Sequence, residues 1–294
     1  MTAYAIVHRA YHAFPSFITK EGELVNAVYG FSSMLLNIIN AQKPTYIAVS
    51  FDRRAKTFRH EEYKDYKATR VKAPDDLYAQ IPRIKEVVEA FNIPIYEMDG
   101  YEADDILGTL AKRVECKSQP THVFIATGDM DALQLVSDKV SVFDKIIYTP
   151  EKVFEKYGLL PSQIVDYKAL KGDSSDNIPG VFGIGEKTAV SLLQKYKTLD
   201  GIYENIAGIE GALGNKLSQG RESAYFSQHL AKIVLDVPIE FDMDACKTYE
   251  FDQAKVLDIF MKLGFQSLIK KLREMNGYYD AHRSEESVSQ QSLF

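Results

Sequence analysis

Cysteines are scarce in this sequence, and neither long apolar runs nor a leader pattern is found. The 294 residues include only Cys116 and Cys246, with no Cys-x-x-Cys pair. This argues against a disulfide scaffold or a zinc site and favours a reducing cytoplasm. No apolar run approaches the ~20 residues of a membrane helix, and MTAYAIVHRA lacks the features of a signal peptide. We therefore expect a cytoplasmic protein with no membrane partner.

Positive charge is also in deficit, with 35 Lys and Arg against 41 Asp and Glu and a net charge of −6. This balance argues weakly against a nucleic-acid partner, although a net charge hides local basic patches. Hydrophobic residues make up 46% and charged residues 26%, as is usual for globular proteins. The length suffices for one large domain, or for a domain with a smaller companion.

Strand-like and helical patterns alternate in the first half of the chain. Strands are predicted at 45–51, 93–98, 122–127 and 140–145, and helices at 25–40, 75–91 and 103–116. This alternation predicts an α/β domain with a parallel sheet. After about residue 150, helices are predicted at 151–157, 163–171, 186–196, 211–234 and 252–272, which indicates a smaller helical domain.

Acidic residues follow the predicted strands. The stretch YEADDILG alone carries Glu102, Asp104 and Asp105, which is more negative charge than a helix cap needs, although a cap is the simpler interpretation. The others are Asp52 after the first predicted strand, Asp129 and Asp131 in TGDMD, and Asp173 and Asp176 in KGDSSDN. Each group alone is ordinary turn chemistry. Because parallel strands present their carboxyl ends at one edge of a sheet, the groups are together expected to converge.

A cluster of carboxylates at one edge of the sheet needs cations to offset the repulsion between them. Two carboxylates ~4 Å apart repel by about 1 kcal/mol in water and about 4 kcal/mol at an effective dielectric of 20. Carboxylate ligands suit Mg²⁺ or Mn²⁺, and the absence of histidine from these motifs argues against zinc. Two such ions about 3.5–4 Å apart are the usual clamp for in-line phosphoryl displacement.

A basic segment separates the first two acidic groups. Residues 53–72 hold eight Lys and Arg against three acids, interleaved with Phe58, Tyr63 and Tyr66. Basic and aromatic side chains together suit single-stranded nucleic acid. The alternative is a solvated helix face, but its i,i+4 pairs, such as Glu62 with Tyr66, are not complementary.

A glycine-rich turn, GVFGIGEKTAV (180–190), matches neither the P-loop nor the GxGxxG pattern. What remains is a tight turn that opens a helix with Lys187 in its first turn. Its N–H groups can hold a phosphate, or its carbonyls a monovalent cation. An ordinary interhelical turn is an equally good interpretation.

Four long motifs resemble the 5′-nuclease domain of bacterial DNA polymerase I, together with flap endonucleases and stand-alone bacterial 5′–3′ exonucleases. They are FDRRAKTFRHEEYKDYKATR, GYEADDILGTLA, TGDMDALQLV and GDSSDNIPGVFGIGEKTA, and the likeness covers roughly residues 5–270. It implies a PIN-like α/β core (1–160) with a helical arch at about 53–73, a helix-2-turn-helix domain (161–275), often with K⁺, and a flexible tail (276–294). It also implies a monomer, associated with the nucleoid, that hydrolyses DNA phosphodiesters near 5′ ends and flaps with two Mg²⁺ or Mn²⁺ ions.

The resemblance also implies roles for individual residues. Asp52 and Asp104 would hold the first metal ion, with Glu102 nearby. The second metal ion would be held by Asp129, Asp131 and Asp176, and Asp105 and Asp173 would lie at the periphery of the site. Arg59 and Lys67 would contact the scissile phosphate as catalytic residues of the arch. The other DNA contacts would be Arg53, Arg54, Tyr63, Lys64, Arg70, Gly183, Gly185, Lys187 and Thr188.

One departure from the family pattern bears on activity. The segment HRAYHAF (8–14) is present, but MTAY replaces the strand and the Ile-Asp-Gly-Asn motif that precede it in the family. Thr2 stands where a metal-binding Asp belongs, and the first central strand is expected to be missing. A late start, a truncated gene model or a degenerate copy would each explain this.

These features leave three functions open. The leading one is a Mg²⁺-dependent 5′–3′ exonuclease and flap endonuclease, as a stand-alone protein or a polymerase fragment. The second is a non-catalytic or impaired flap-DNA-binding protein, and the third is a PIN-like nuclease acting on RNA.

The last five residues, QQSLF (290–294), resemble the peptide with which bacterial replication proteins dock on the sliding clamp, through Gln290, Leu293 and Phe294.

Overall fold

A computed structural model describes residues 1–117, 121–248 and 251–275, and within them every strand lies before residue 150. The strands are β1 (Val49–Ser50), β2 (Ile95–Tyr96), β3 (Val123–Ala126), β4 (Val140–Phe143) and β5 (Ile147–Tyr148). The helices before residue 150 are α1 (Ala3–Ala13), α2 (Asn26–Gln42), α3 (Phe58–Glu62), α4 (Asp75–Ala79), α5 (Ile81–Ala90) and α6 (Ala103–Glu115). Those that follow are α7 (Pro150–Tyr157), α8 (Ile164–Lys171), α9 (Glu186–Tyr196), α10 (Leu199–Glu204), α11 (Gly211–Gln219), α12 (Arg221–Ala231) and α13 (Gln253–Lys262).

The strands form two small sheets. β1 pairs in parallel with β2, and β3 pairs in parallel with β4, which pairs antiparallel with β5. The parallel pairs confirm the predicted α/β class, whereas β5 was not predicted. The strands are shorter than their apolar runs, so that TYIAVSF contributes only two residues to β1.

Met1 and Thr2 lie between the two sheets, where the central strand was expected to be missing. The Ser50 N–H donates to the Met1 carbonyl (2.9 Å), and the Thr2 N–H donates to the Ala126 carbonyl (3.0 Å). The expectation that the central strand is missing is therefore only partly correct, because Met1 and Thr2 supply the backbone hydrogen bonds that join β1 to β3. Burial lowers the pKa of the Met1 amine to about 5.

Three predicted helices are each broken by a local feature. The 75–91 helix is interrupted at Gln80, because Pro82 in the first turn of α5 has no N–H with which to continue the helical hydrogen bonds. The 211–234 helix is divided at Gly220, and the 252–272 helix at Gly264, which has a φ of +73° that favours glycine. Within the described residues, no helix has both the length and the apolar character needed to span a bilayer.

The helices divide between two main hydrophobic cores. The first joins α1, α2, α5 and β1, and the second lies among α8, α9, α10 and α11. The segment 253–275, predicted to belong to the helical domain, instead packs on the first core through Phe260, Phe265 and Leu272. The chain therefore returns to the α/β core after the helical region. The predicted tail (276–294) lies outside the described residues.

Candidate active site

A cavity of about 1400 Å³ opens at the carboxyl ends of β1 and β3. The loop after β1, the start of α6, the loop after β3 and the loop after α8 all reach it. Its acidic lining residues are Asp52, Glu97, Glu102, Asp104, Asp129, Asp131 and Asp173, and Thr2 lines it as well. Six of the eight predicted metal-binding residues thus share one cavity.

The start of α6 shows how one acidic stretch serves two purposes. The Glu102 backbone N–H donates to the Asp105 carboxylate (3.1 Å), which caps the first turn. Asp104, between them in sequence, lines the cavity instead. The cap interpretation and the ligand interpretation of YEADD therefore apply to different side chains.

Asp52, Asp104 and Asp129 form a group that we call the inner carboxylates. They accept hydrogen bonds from the Ala103 N–H (2.9 Å), the Thr2 hydroxyl (2.9 Å) and the Asp131 N–H (2.9 Å), respectively. Within the described part of the chain, none of the three forms an ion pair with Lys or Arg. Burial, and then repulsion from Asp129 and Asp52, raise the pKa of Asp104 well above its usual value.

Glu102, Asp131, Asp173 and Asp176 form a second group, the outer carboxylates, which all pair with basic side chains. Lys67 Nζ lies 2.7 Å from Glu102, and Arg70 lies 2.5 Å from Asp176. Lys168 Nζ bridges Asp131 and Asp173, at 2.5 Å from the latter.

The shared ammonium does not affect its two partners equally. Burial raises the pKa of Asp131 to about 7 even though Lys168 opposes this shift. For Asp173, Lys168 and Ser175 outweigh burial and lower the pKa to about 2. Ser175 donates two hydrogen bonds to the Asp173 carboxylate, from its N–H (2.8 Å) and its hydroxyl (2.6 Å), which favour the charged form.

The ion pairs of the outer carboxylates bear on whether the site can bind a metal ion. Among residues 1–117, 121–248 and 251–275, no group of three or more His, Cys, Asp or Glu side chains is arranged to bind a metal ion. Basic side chains pair with the outer carboxylates, and a threonine hydroxyl is hydrogen-bonded to Asp104. The acidic cavity that the sequence predicts is present, but its carboxylates form hydrogen bonds and ion pairs with other residues of the chain.

Arg59 and Asp105 lie outside the cavity. The guanidinium makes two hydrogen bonds to the Asp105 carboxylate, of 2.7 and 2.8 Å, and donates to the Leu230 and Lys232 carbonyls. The Arg59 side chain is only 3% exposed. A contact with the scissile phosphate for Arg59 and a metal-binding role for Asp105 therefore do not agree with their positions, because each is buried against the other.

The rest of the basic segment folds over the mouth of the cavity. Only α3 is helical; beyond it Lys67 has a left-handed backbone (φ +57°), and its N–H donates to the Asp176 carbonyl (2.9 Å). Tyr66 hydrogen-bonds to Glu102 and Asp176. The segment is thus held to the outer carboxylates by side chain and backbone.

The predicted DNA-contacting residues of this segment occupy different environments. Arg53 pairs with Asp99 (3.0 Å), and Arg54 lies over the Tyr78 ring, 5.2 Å from its centroid. Tyr63 packs edge-on against Phe226, while Lys64 is exposed. Arg53 and Arg54 line the same cavity as the acids.

The glycine turn lies far along the chain in the helical region and is open to solvent. Gly183 (φ +77°), Gly185 and Lys187 are exposed, and Thr188 is half-buried. Phe182, beside them, is 93% exposed. At Gly185, where α9 begins, a Cβ would meet no atom within 4 Å, so the helix N-terminus is accessible.

Two lysines that the sequence motifs did not single out lie at these sites. Lys168 precedes GDSSDN by one helical turn, and only the fold shows that it also reaches Asp131. Lys216 Nζ donates to the Gly183 carbonyl (3.2 Å), where a monovalent cation was predicted. Gln290, Leu293 and Phe294, the predicted clamp contacts, lie outside the described residues.

Two family models match the chain. Residues 2–158 match "5'-3' exonuclease, N-terminal resolvase-like domain", and residues 159–254 match "5'-3' exonuclease, C-terminal SAM fold". Together they cover most of the chain, and their descriptions agree with the α/β and helical regions.

Curated relatives are polymerases of greater length. The chain is 43% identical over 277 residues to DNA polymerase I of Caldicellulosiruptor bescii, covering 91% of this chain and 32% of the polymerase. It is 41% identical over 293 residues to DNA polymerase I of Bacillus subtilis, covering 97% and 33%. The chain thus spans about a third of the length of these relatives.

Solved structures share the fold at low identity. The T5 D15 protein co-crystallised with metal ions matches with a TM-score of 0.67 at 18% identity, over 95% of this chain and 97% of that one. The catalytic core of Rad2 in complex with DNA substrate matches with a TM-score of 0.55 at 13% identity, over 89% and 86%.

Proposed function

The chain belongs to the 5′–3′ exonuclease family, and from this premise we propose that it hydrolyses DNA phosphodiesters at 5′ ends and 5′ flaps. The observation that carries this proposal is the cavity, in which the inner carboxylates, which form no ion pair with Lys or Arg among the described residues, lie close to a basic, aromatic segment. The substrate would be the flap or RNA primer left in replication and repair. We propose that the chain acts as a monomer on nucleoid DNA.

The inner carboxylates have the ligand chemistry of a hard divalent cation, although the described side chains are not arranged around one point and would have to move to coordinate an ion. Asp52, Asp104 and Asp129 offer oxygen ligands only, and their mutual repulsion is the cost that a cation removes. Asp52 and Asp104 would hold a first ion with Glu102 nearby, while Asp129, Asp131 and Asp176 would hold a second. Two Mg²⁺ or Mn²⁺ ions, when bound, supply an activated water and stabilise charge on the phosphate.

The chain's own residues would bind and orient the DNA. Lys67 and Arg70 lie at the mouth of the cavity, where their charges would neutralise the phosphate next to the scissile bond. Tyr63 and Lys64 would contact the single strand. At the helical region, the N–H groups at the start of α9 and the Lys187 ammonium would hold a phosphate of the duplex.

A specific observation favours a second candidate, an impaired enzyme that binds flaps. Thr2 occupies the backbone position between β1 and β3 and gives Asp104 a hydroxyl instead of a carboxylate neighbour. With one ligand fewer, the first metal site would be weaker. Binding of DNA would depend less on this residue than hydrolysis does.

Cleavage of a labelled 5′-flap duplex with Mg²⁺ separates these candidates. We expect the chain to bind and cleave the flap, Thr2→Asp to cleave faster, and Asp129→Ala to bind without cleaving. Cleavage by Thr2→Asp alone, with binding by both, would establish the impaired enzyme. No cleavage by either would sink the nuclease proposal, and preference for an all-RNA substrate would redirect it to RNA.

Two further assignments belong to this proposal. We assign residues 1–160 to the PIN-like core and 161–275 to the helical DNA-binding region, with 253–275 packed back on the core. We also propose that QQSLF (290–294) docks on a sliding clamp through Gln290, Leu293 and Phe294. Replacing Leu293 and Phe294 by alanine should abolish clamp binding and leave flap binding unchanged.

A further inference from the structure

Lys168 occupies an unusual position for a basic side chain. It lies on α8 in the helical region, yet its ammonium reaches into the acidic cavity of the α/β core. There it contacts Asp131, in the loop after β3, and Asp173 (2.5 Å), in the loop after α8. The Lys168 side chain is only 14% exposed. One buried cation therefore joins carboxylates from two regions of the chain.

This position is the one that a divalent cation would take. Asp131 is among the carboxylates proposed for the second metal ion, and Asp173 lies beside them. An ammonium that bridges two carboxylates satisfies the same charges as a metal, with three donors in place of a coordination sphere. Both cannot occupy the space between the same oxygens, so metal binding there requires the ammonium to move.

We propose that Lys168 is an internal cation of the second metal site, which competes with the divalent ion for Asp131 and Asp173. The inference rests on the proposed function, because it takes Asp131 as a metal ligand. It makes Lys168 a positioning residue: it holds the carboxylates together without metal and yields them when a metal enters. The second metal site would then bind its ion more weakly than the first.

The decisive variant is Lys168→Met in the full chain, freed of metal with EDTA and titrated calorimetrically with Mn²⁺. Removal of a competing cation should tighten Mn²⁺ binding at one site by about tenfold or more, because the ion no longer has to displace a buried ammonium from the same oxygens. A merely structural lysine would weaken or spare metal binding when lost. Lys171→Met is the charge-matched control, since its ammonium lies over the Tyr167 ring on the same helix.

Thermal unfolding gives a second readout. Without metal, Lys168→Met should unfold at a lower temperature than the parent chain, because Asp131 and Asp173 lose their cation. With Mn²⁺, the rise in unfolding temperature should be larger than for the parent. If the methionine variant does not fold without metal, Lys168→Gln, which keeps hydrogen bonds and removes the charge, should show the same tightening.

The outcomes distinguish this inference from the proposed function. Tighter Mn²⁺ binding by both Lys168 variants and not by Lys171→Met supports it. Equal or weaker binding by the Lys168 variants overturns it and leaves the metal-dependent nuclease standing. Absence of Mn²⁺ binding by every chain overturns the inference and the proposed metal centre together.

Discussion

The inner carboxylates and three of the four outer ones line one cavity, and the two groups differ in what balances their charge. Asp52, Asp104 and Asp129 rely on hydrogen bonds from N–H groups and from the Thr2 hydroxyl. Each outer carboxylate instead has a lysine or arginine within salt-bridge distance, from the basic segment or from α8. Acidic residues in one site can therefore have opposite effects on stability, depending on whether the fold brings them a cation.

The largest expected effect concerns the most buried ion pair. Arg59→Ala would leave Asp105 buried and unpaired, so we expect a loss of about 3–5 kcal/mol in the free energy of unfolding, measured with urea. Arg53→Ala is the control, because its pair with Asp99 is exposed and worth about 1 kcal/mol or less. Equal losses for the two variants would contradict the structural role of Arg59.

Neutralising one carboxylate of each group should give opposite signs. In EDTA, Asp104→Asn removes a repelled charge and should stabilise the chain by about 1–4 kcal/mol. Asp173→Asn takes a charged partner from Lys168 and should destabilise it by about 1–3 kcal/mol, because Lys168 and Ser175 lower the pKa of Asp173 to about 2. Urea unfolding would measure both changes in the free energy of unfolding. Changes of the same sign in the two variants would contradict the distinction between inner and outer carboxylates.

The gain from Asp104→Asn should also depend on pH. Because the pKa of Asp104 is raised in the folded state, the folded chain resists ionisation. The cost is absent below the unfolded pKa, grows as the pH rises from the unfolded to the folded pKa, and is constant above the folded pKa. The stabilising effect in EDTA should therefore be larger at about pH 8 than at about pH 5. A gain that shrinks with rising pH would show that Asp104 is not destabilised by its charge.

The smallest expected effect extends the comparison to the glycine turn. The Gly183 carbonyl already accepts from Lys216, as the outer carboxylates already pair with basic side chains. Duplex affinity of the parent chain should therefore change little when K⁺ is replaced by tetramethylammonium. In the Lys216→Met variant, the same replacement of K⁺ should lower the duplex affinity about three- to tenfold. Lys195→Met, on α9 and over the Tyr196 ring, is the control.

Prediction from the sequence succeeded where the signal was local in the chain. The helix predicted at 103–116 is α6 (Ala103–Glu115), and the placement of acids after predicted strands anticipated the shared cavity. Breaks within helices were missed because the apolar periodicity continues across them, although Pro82, Gly220 and Gly264 mark the three positions.

The residue types of the site, the alternation of strands and helices, and the family could all be read from the amino-acid sequence. Which acid pairs with which cation could not, because it depends on the packing of the folded chain. Arg59 and Asp105 are 46 residues apart and Lys168 and Asp131 are 37 apart, so no motif spacing links them. The physical reason is that charge balance depends on distance in space and on burial, and both arise only when α8, α12 and the basic segment pack around the sheet.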